Sequence, residues 1–413
     1  YQRAGYSDIE KKETDNIGFY FNKINKSPAS KQIHLAKKTQ PILSNNGAIG
    51  FYMETSLHYA VYRPIINALQ KMGHTCSLLV NNRSNKAFLD EMLATLKKIN
   101  DPALGGILLS DMTDRSQRYK CLISPYYTPA INGLSDIHIR AMYGLAKEEW
   151  NHAWWNTFYH RILCYSHYSQ QALNIGGSAI AVGNPRFDEW HNGSCDLSLP
   201  ECLHLDKKKP TILYAPTYGV LSSIPHWAEA LGRLSHDFNI VTKLHHGTCF
   251  RAEEAGSLAL AQRYLKKRIH APEHAIPMLV QADYVLTDNS GFIFDAIHMN
   301  KRIILLNWPE MPSLLDGQKS FSTPHSAEQR IRDLLPVAGD IQALRAVLSP
   351  TYDWASLATS LEEIRHHYCD AFMDGKAGER AAREICDAME NKNSHRENVL
   401  LHSLREKLFA SGH

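Results

Sequence analysis

From residue 47 the chain alternates short apolar runs with stretches whose apolar positions recur every three or four residues. The runs GAIGFYM, TCSLLV, GGILLSD, KCLISP, SDIHIRAM, RILCYS and SAIAVGNP are short and bounded by turn residues, as strands are. After the first comes AVYRPIINALQKMGH, in which Val61, Ile65, Ile66 and Leu69 fall at helical spacing before Gly73 stops the pattern. Near-continuous apolar runs separated by helices mark strands buried on both faces, the βαβ rhythm of a parallel sheet. They predict an α/β domain over residues 47–190.

The polar stretch HNGSCDLSLPECLHLDKKKP then breaks the rhythm with Gly, Pro and three lysines, and residues 191–209 read as an interdomain linker. The rhythm restarts with TILYAPT, the helix HWAEALGRLSH, the strand FNIVTKLHH, the helix EEAGSLALAQRYLKKR, then IHAP, ADYVLTD and RIILLN. A second parallel sheet is expected within a domain over 210–375, with C-terminal helices over 376–413. In the last helix Leu400, Leu401, Leu404 and Leu408 form a stripe that reads as a packing face, with contact to a membrane surface as the other reading. Residues 1–46 are polar and Lys-rich, with one aromatic cluster at Phe19, Tyr20 and Phe21, and read as an arm or linker.

Composition narrows the class. At 413 residues, 44% hydrophobic and 21% charged, the chain is sized for two globular domains, and no apolar run approaches the roughly 18 residues of a membrane span. A formal charge of +3 without a concentrated basic stripe argues against nucleic acid. Eight cysteines without a C-x-x-C pair argue against a zinc knuckle or redox motif and fit reduced thiols in a cytoplasm. Because the first residue is Tyr1, a piece of a longer protein is expected.

Open parallel sheets bind ligands at the carboxyl ends of their strands, so two facing sheets define a cleft. Between strand YVLT and the helix that follows lie Asp288, Asn289, Ser290 and Gly291. A helix start offers unpaired N–H groups, to which Ser290 adds a hydroxyl, and this suits phosphate; the plain alternative is a helix cap at Asn289 or Ser290. Asp288 is awkward beside a bare anion and suits holding the loop or taking a ligand hydroxyl. Pro216, Thr217 and Gly219 form a second small-residue loop after ILY. Lys243, His245 and His246 end the next strand, where one imidazole can enter the cleft for proton transfer or hydrogen bonding. No spacing of ligands specifies a metal site.

ILYAPTYG, TKLHHGT and ADYVLTDNSGFIFDAIHMNKRIILLN, in that order, resemble the C-terminal half of CDP-glycerol glycerophosphotransferases, the polymerases of teichoic acids and capsules. VGNPRFDEW, with Pro185 and Arg186, is similar to the element between that family's two domains; the resemblance spans residues 130 to 310. It implies the GT-B architecture, two Rossmann-like domains facing across a cleft, and transfer of a polyol phosphate from CDP-glycerol or CDP-ribitol to an acceptor hydroxyl with release of CMP. It also implies that His245 is the catalytic imidazole, that Ser290 binds phosphate, that Asp288 and Asp295 are the family's paired aspartates, and that the chain is part of a longer multidomain polymerase. On this reading the donor's pyrophosphate is expected at Ser290 and Gly291, with Thr217 and Lys243 nearby. The acceptor would be a polysaccharide or polyol-phosphate polymer, lipid-linked in some members, and the site of action the cytoplasm or the inner face of its membrane.

Two positions depart from the pattern. Where the family carries His-Gly in its N-terminal domain, this chain has Tyr143 before Gly144, leaving His58 and His138 as alternative bases; and DNSG stands in place of DYSS. A glycosyltransferase of the same architecture using a CMP- or UDP-sugar, and a nucleotide-binding module without catalysis, are the rival readings. Whether a divalent metal assists is left open by the residues.

Overall fold

A computed structural model describes residues 48–409 apart from 84, 100, 102, 113–117, 201–202, 270–274 and 391–398. The expected arm over 1–46, with its aromatic cluster, lies outside the described residues.

The first sheet comprises β1 (Ile49–Met53), β2 (Cys76–Val80), β3 (Gly105–Leu108), β4 (Cys121–Ser124), β5 (His138–Ala141), β6 (Arg161–Cys164) and β7 (Ala179–Ala181). Its order is β3-β2-β1-β4-β5-β6-β7, every pairing parallel. The second comprises β8 (Thr211–Tyr214), β9 (Asn239–Lys243), β10 (Lys267–Ile269), β11 (Tyr284–Thr287), β12 (Arg302–Leu306) and β13 (Val337–Ala338). It runs β10-β9-β8-β11-β12-β13, again all parallel. The central strands are largely apolar because helices cover both faces: every residue of β1, β2, β4, β8 and β11 is buried.

The apolar runs place twelve strands, and two local differences have physical causes. The IHAP run marks only the end of β10, which begins two residues earlier at Lys267 on the outer edge of its sheet, where charged residues are tolerated. β13, two residues long, matches none of the apolar runs because such a short strand carries no periodicity.

The C-terminal segment returns to the first domain. Helix Ala377–Glu390 buries Ala381, Ala382, Ile385 and Met389 in the core around β1 and helix Ser56–Lys71. The close approach demands Gly378, where a Cβ would sit 2.8 Å from backbone and side-chain atoms of Pro64. Asp188 caps this helix, accepting from the amides of Ala377 (3.0 Å) and Gly378 (2.7 Å). Helix Val399–Phe409 packs Phe409 onto Tyr127 and Phe158 and buries Leu401, while Leu404 and Leu408 stay exposed. Among the described residues no helix is long and apolar enough to cross a membrane.

Candidate active site

The strand order of each sheet reverses between β1 and β4 and between β8 and β11, the positions where loops at the carboxyl ends diverge and leave a crevice. A cavity of about 830 Å³ lies there, lined by both domains. The first domain contributes Tyr143, Lys147 and Arg186, the second Thr217, Tyr218, Lys243, His245, His246 and the turn Asn289–Ser290–Gly291.

Asp288 organises the second domain's share without lining the cavity. Fully buried, its carboxylate accepts from the amides of Thr217 (2.8 Å), Asn289 (2.6 Å) and Ser223 (2.8 Å) and from the Ser223 hydroxyl (2.8 Å). It therefore ties the loop after β8 to the loop after β11. Burial raises its pKa above the ordinary value, and the four donors oppose that rise. Asn289 continues the scaffold, donating to the Leu221 carbonyl (3.0 Å) and accepting from Gln329 (2.6 Å).

The Ser290 hydroxyl accepts from the Phe292 amide at 3.2 Å, the capping arrangement. Among the described residues the amides of Ser290 and Gly291 donate to no protein acceptor, and both residues line the cavity. Gly291 adopts an ordinary right-handed conformation, and a Cβ there would make ordinary contact, 3.8 Å, with Ala146 of the other domain.

His245 follows β9 and starts the turn His246–Phe250, its Nδ1 accepting from the Gly247 amide at 3.0 Å. The neutral ring assigned by that bond carries its proton on Nε2 and so presents a donor. Burial first, then His246 and the cations Lys147, Lys243 and Arg251, hold it well below the usual histidine range. Its ring stacks on Tyr218 with centroids 4.4 Å apart. That ring occupies the space a Cβ on Gly247 would need, 2.7 Å from Tyr218 Cγ. Lys243 is pulled below its ordinary value by burial, then by Arg186, with Asp295 opposing.

Arg186 and Asp295 form an ion pair across the domain seam. The seam is reinforced by Asn184 N to Asp370 Oδ2 (2.8 Å) and by the Lys147 amide to Glu328 Oε1 (3.2 Å). Pro185 is the buried first residue of the short turn Pro185–Phe187 that aims Arg186 at this partner. Nearby, His191 and His298 share a 2.9 Å contact between their Nε2 atoms with Asp370 beside them. Asp370 accepts from the amides of Asn184, Phe372 and Met373, so backbone capping accounts for its place.

The proposed alternatives for the N-domain base are placed elsewhere. His138 opens β5, at the amino end of a parallel strand and thus the sheet edge remote from the cleft, where it packs on Phe158 (4.5 Å). His58 stands at the correct edge but on the inner face of helix Ser56–Lys71, its Nδ1 accepting from the Glu54 amide (3.2 Å) behind the Tyr143 ring (5.3 Å). Neither lines the cavity, and burial pulls both down to about 3. Tyr143 does line it, with its phenol pushed up to about 12 by burial. Sequence reasoning missed Lys147 and Tyr218; the signal available was that Tyr218 lies inside the same APTYG loop as Thr217.

Two facing, doubly wound parallel domains with a ligand-sized cleft at their strand ends and a C-terminal helix returning to the first domain define the GT-B fold. Among solved structures, the wall teichoic acid polymerase TagF superposes with a TM-score of 0.60 at 15% identity, covering 84% of this chain and 89% of that one. The S. aureus MnaA–UDP complex follows at 0.56 and 15%, covering 83% of this chain and 97% of that one. UDP-GlcNAc 2-epimerase from Neisseria meningitidis, bound to UDP-GlcNAc, gives 0.54 and 14%, covering 82% and 99%. At such identities the likeness establishes the fold. No protein-family model and no curated protein sequence matches the chain.

Proposed function

We propose that the chain transfers glycerol phosphate or ribitol phosphate from a CDP-activated donor to an acceptor hydroxyl of a polyol-phosphate or polysaccharide polymer, releasing CMP. The observation that carries this reading is the convergence, in one cavity, of the Ser290–Gly291 amides, the Nε2 donor of His245 and the cations Lys147 and Lys243. Such a surface suits a diphosphate: amides and ammonium groups hold the charge, and a fixed donor meets the oxygen on which charge develops. Phosphoryl transfer asks the protein mainly for positioning and charge stabilisation. The acceptor oxygen attacks the polyol-bearing phosphorus in line, the bond from that phosphorus to the CMP oxygen breaks, and His245 donates a hydrogen bond to the leaving phosphate.

The likeness to TagF, one of whose structures was soaked with CDPG, adds to this reading. The likeness to UDP-bound and UDP-GlcNAc-bound proteins motivates a second one, chemistry on a UDP-sugar. The released nucleotide separates the two: CMP from CDP-glycerol or CDP-ribitol supports phosphotransfer, whereas UDP release or epimerised UDP-GlcNAc with no CMP refutes it. In the positive case His245→Ala is expected to lower kcat about 100- to 1,000-fold, the effect of losing one oxyanion donor. Turnover unchanged by that substitution removes His245 from the mechanism.

A further inference from the structure

If the cavity performs phosphotransfer, some group must accept the proton of the attacking hydroxyl. Several other titratable groups that line the cavity are occupied. His245 Nδ1 holds the Gly247 amide, Asp295 pairs with Arg186, and Glu189 pairs with Arg63. Asp101 accepts from Gln70 (2.9 Å), and Tyr143 is buried against His58 and Tyr126.

One cavity-lining phenol has different surroundings. Tyr218 is clamped with its ring on His245, in the gap left by Gly247. Lys147 Nζ lies 4.0 Å from its ring centroid and the Arg251 guanidinium 5.1 Å from it. Lys147 comes from the opposite domain, and its backbone is left-handed, with φ of 62°. A non-glycine residue in that region is strained, and the bond of its amide to Glu328 holds it there.

We propose that Tyr218, with Lys147 supplying the counter-charge from across the cleft, is the general base that takes the acceptor's proton. The step balances. The acceptor O–H proton passes to the phenolate oxygen as the acceptor oxygen bonds to phosphorus; the bond to CMP breaks with its electrons on CMP, and the phenol returns the proton to solvent before the next turnover. Burial alone would raise the phenol's pKa, but Lys147 and Arg251 outweigh burial and the opposing Glu254 carboxylate and leave it below the ordinary tyrosine value. His245 and Tyr143 also stand near the ring, and His246 packs against His245 at 4.0 Å. The pair also forms only with the domains together, so the base is assembled by closure of the cleft.

The test uses the full chain and two readouts. In difference titrations at 295 nm between wild type and Tyr218→Phe, the phenol should ionise below pH 10, and in Lys147→Met the transition should move to higher pH. In CMP release from CDP-glycerol or CDP-ribitol, Tyr218→Phe should lose at least tenfold in kcat at pH 7. The acid limb of the Lys147→Met profile should shift to higher pH, because only the phenolate is active, with partial rescue by Lys147→Arg. Unchanged melting temperatures keep these effects local. A phenol ionising at or above pH 10, or Tyr218→Phe keeping the wild-type rate and pH profile, overturns the assignment of Tyr218. Wild-type protein that releases no CMP at any pH overturns the phosphotransfer reading beneath it, and with it the base.

Discussion

Asp288→Asn is the most informative single change to the scaffold, because it preserves volume while altering one acceptor. The carboxylate satisfies three amides and one hydroxyl at 2.6–2.8 Å with no solvent access. An asparagine that keeps its oxygen towards Thr217 and Asn289 turns an NH₂ towards Ser223. The Ser223 hydroxyl can rotate to accept from that group, but the Ser223 amide then faces another donor. A buried orphaned amide costs about 1–3 kcal/mol, and loss of charge assistance at the remaining bonds adds about 1 kcal/mol. Together these come to about 2–4 kcal/mol; removing a buried negative charge offsets part of this, leaving a loss of about 1–3 kcal/mol in the local stability of the two loops. Hydrogen exchange followed by mass spectrometry should then show the Thr217 and Ser223 amides exchanging roughly 5- to 150-fold faster, since about 1.4 kcal/mol corresponds to a factor of ten. Strands β8 and β11 should change less. Exchange at both amides within threefold of wild type would refute the view that Asp288 builds the donor loops.

Two further predictions concern stability. Burial holds His58 and His138, 2% and 5% exposed, near 3 instead of the ordinary histidine value of 6.5. The unfolded chain therefore binds protons that the folded chain refuses, and stability falls as pH drops below about 6.5. At pH 5.5 each histidine costs about 1.4 kcal/mol, so denaturant midpoints should drop between pH 7.5 and 5.5, and His138→Phe should shrink that drop; equal slopes would reject the cause. Gly378→Ala places a Cβ 2.8 Å from Pro64 backbone atoms and should cost at least about 1–3 kcal/mol, measured as a lower melting temperature with increased proteolysis between the domains. A melting temperature equal to that of wild type would count against tight docking of the returning helix.

The linear pattern determined the fold to a large extent. The apolar runs that became β1 to β9, β11 and β12 were legible because a strand covered on both faces has to be apolar along its length, and the intervening helices because packing on a sheet requires apolar residues at their own period. The same logic exposed the APTYG, TKLHH and TDNSG loops, since parallel sheets gather their strand ends at one edge. Chain order, however, says nothing of rotation about a helix or of which edge a residue finally occupies. His58 and His138 looked equivalent as bases, yet one faces the core behind Tyr143 and the other stands at the remote edge of the sheet. The pairing of Lys147 with Tyr218, 71 residues later, and of Arg186 with Asp295 arises from docking two separately patterned domains. Such contacts leave no local period, because their energy is gained only when the cleft is assembled.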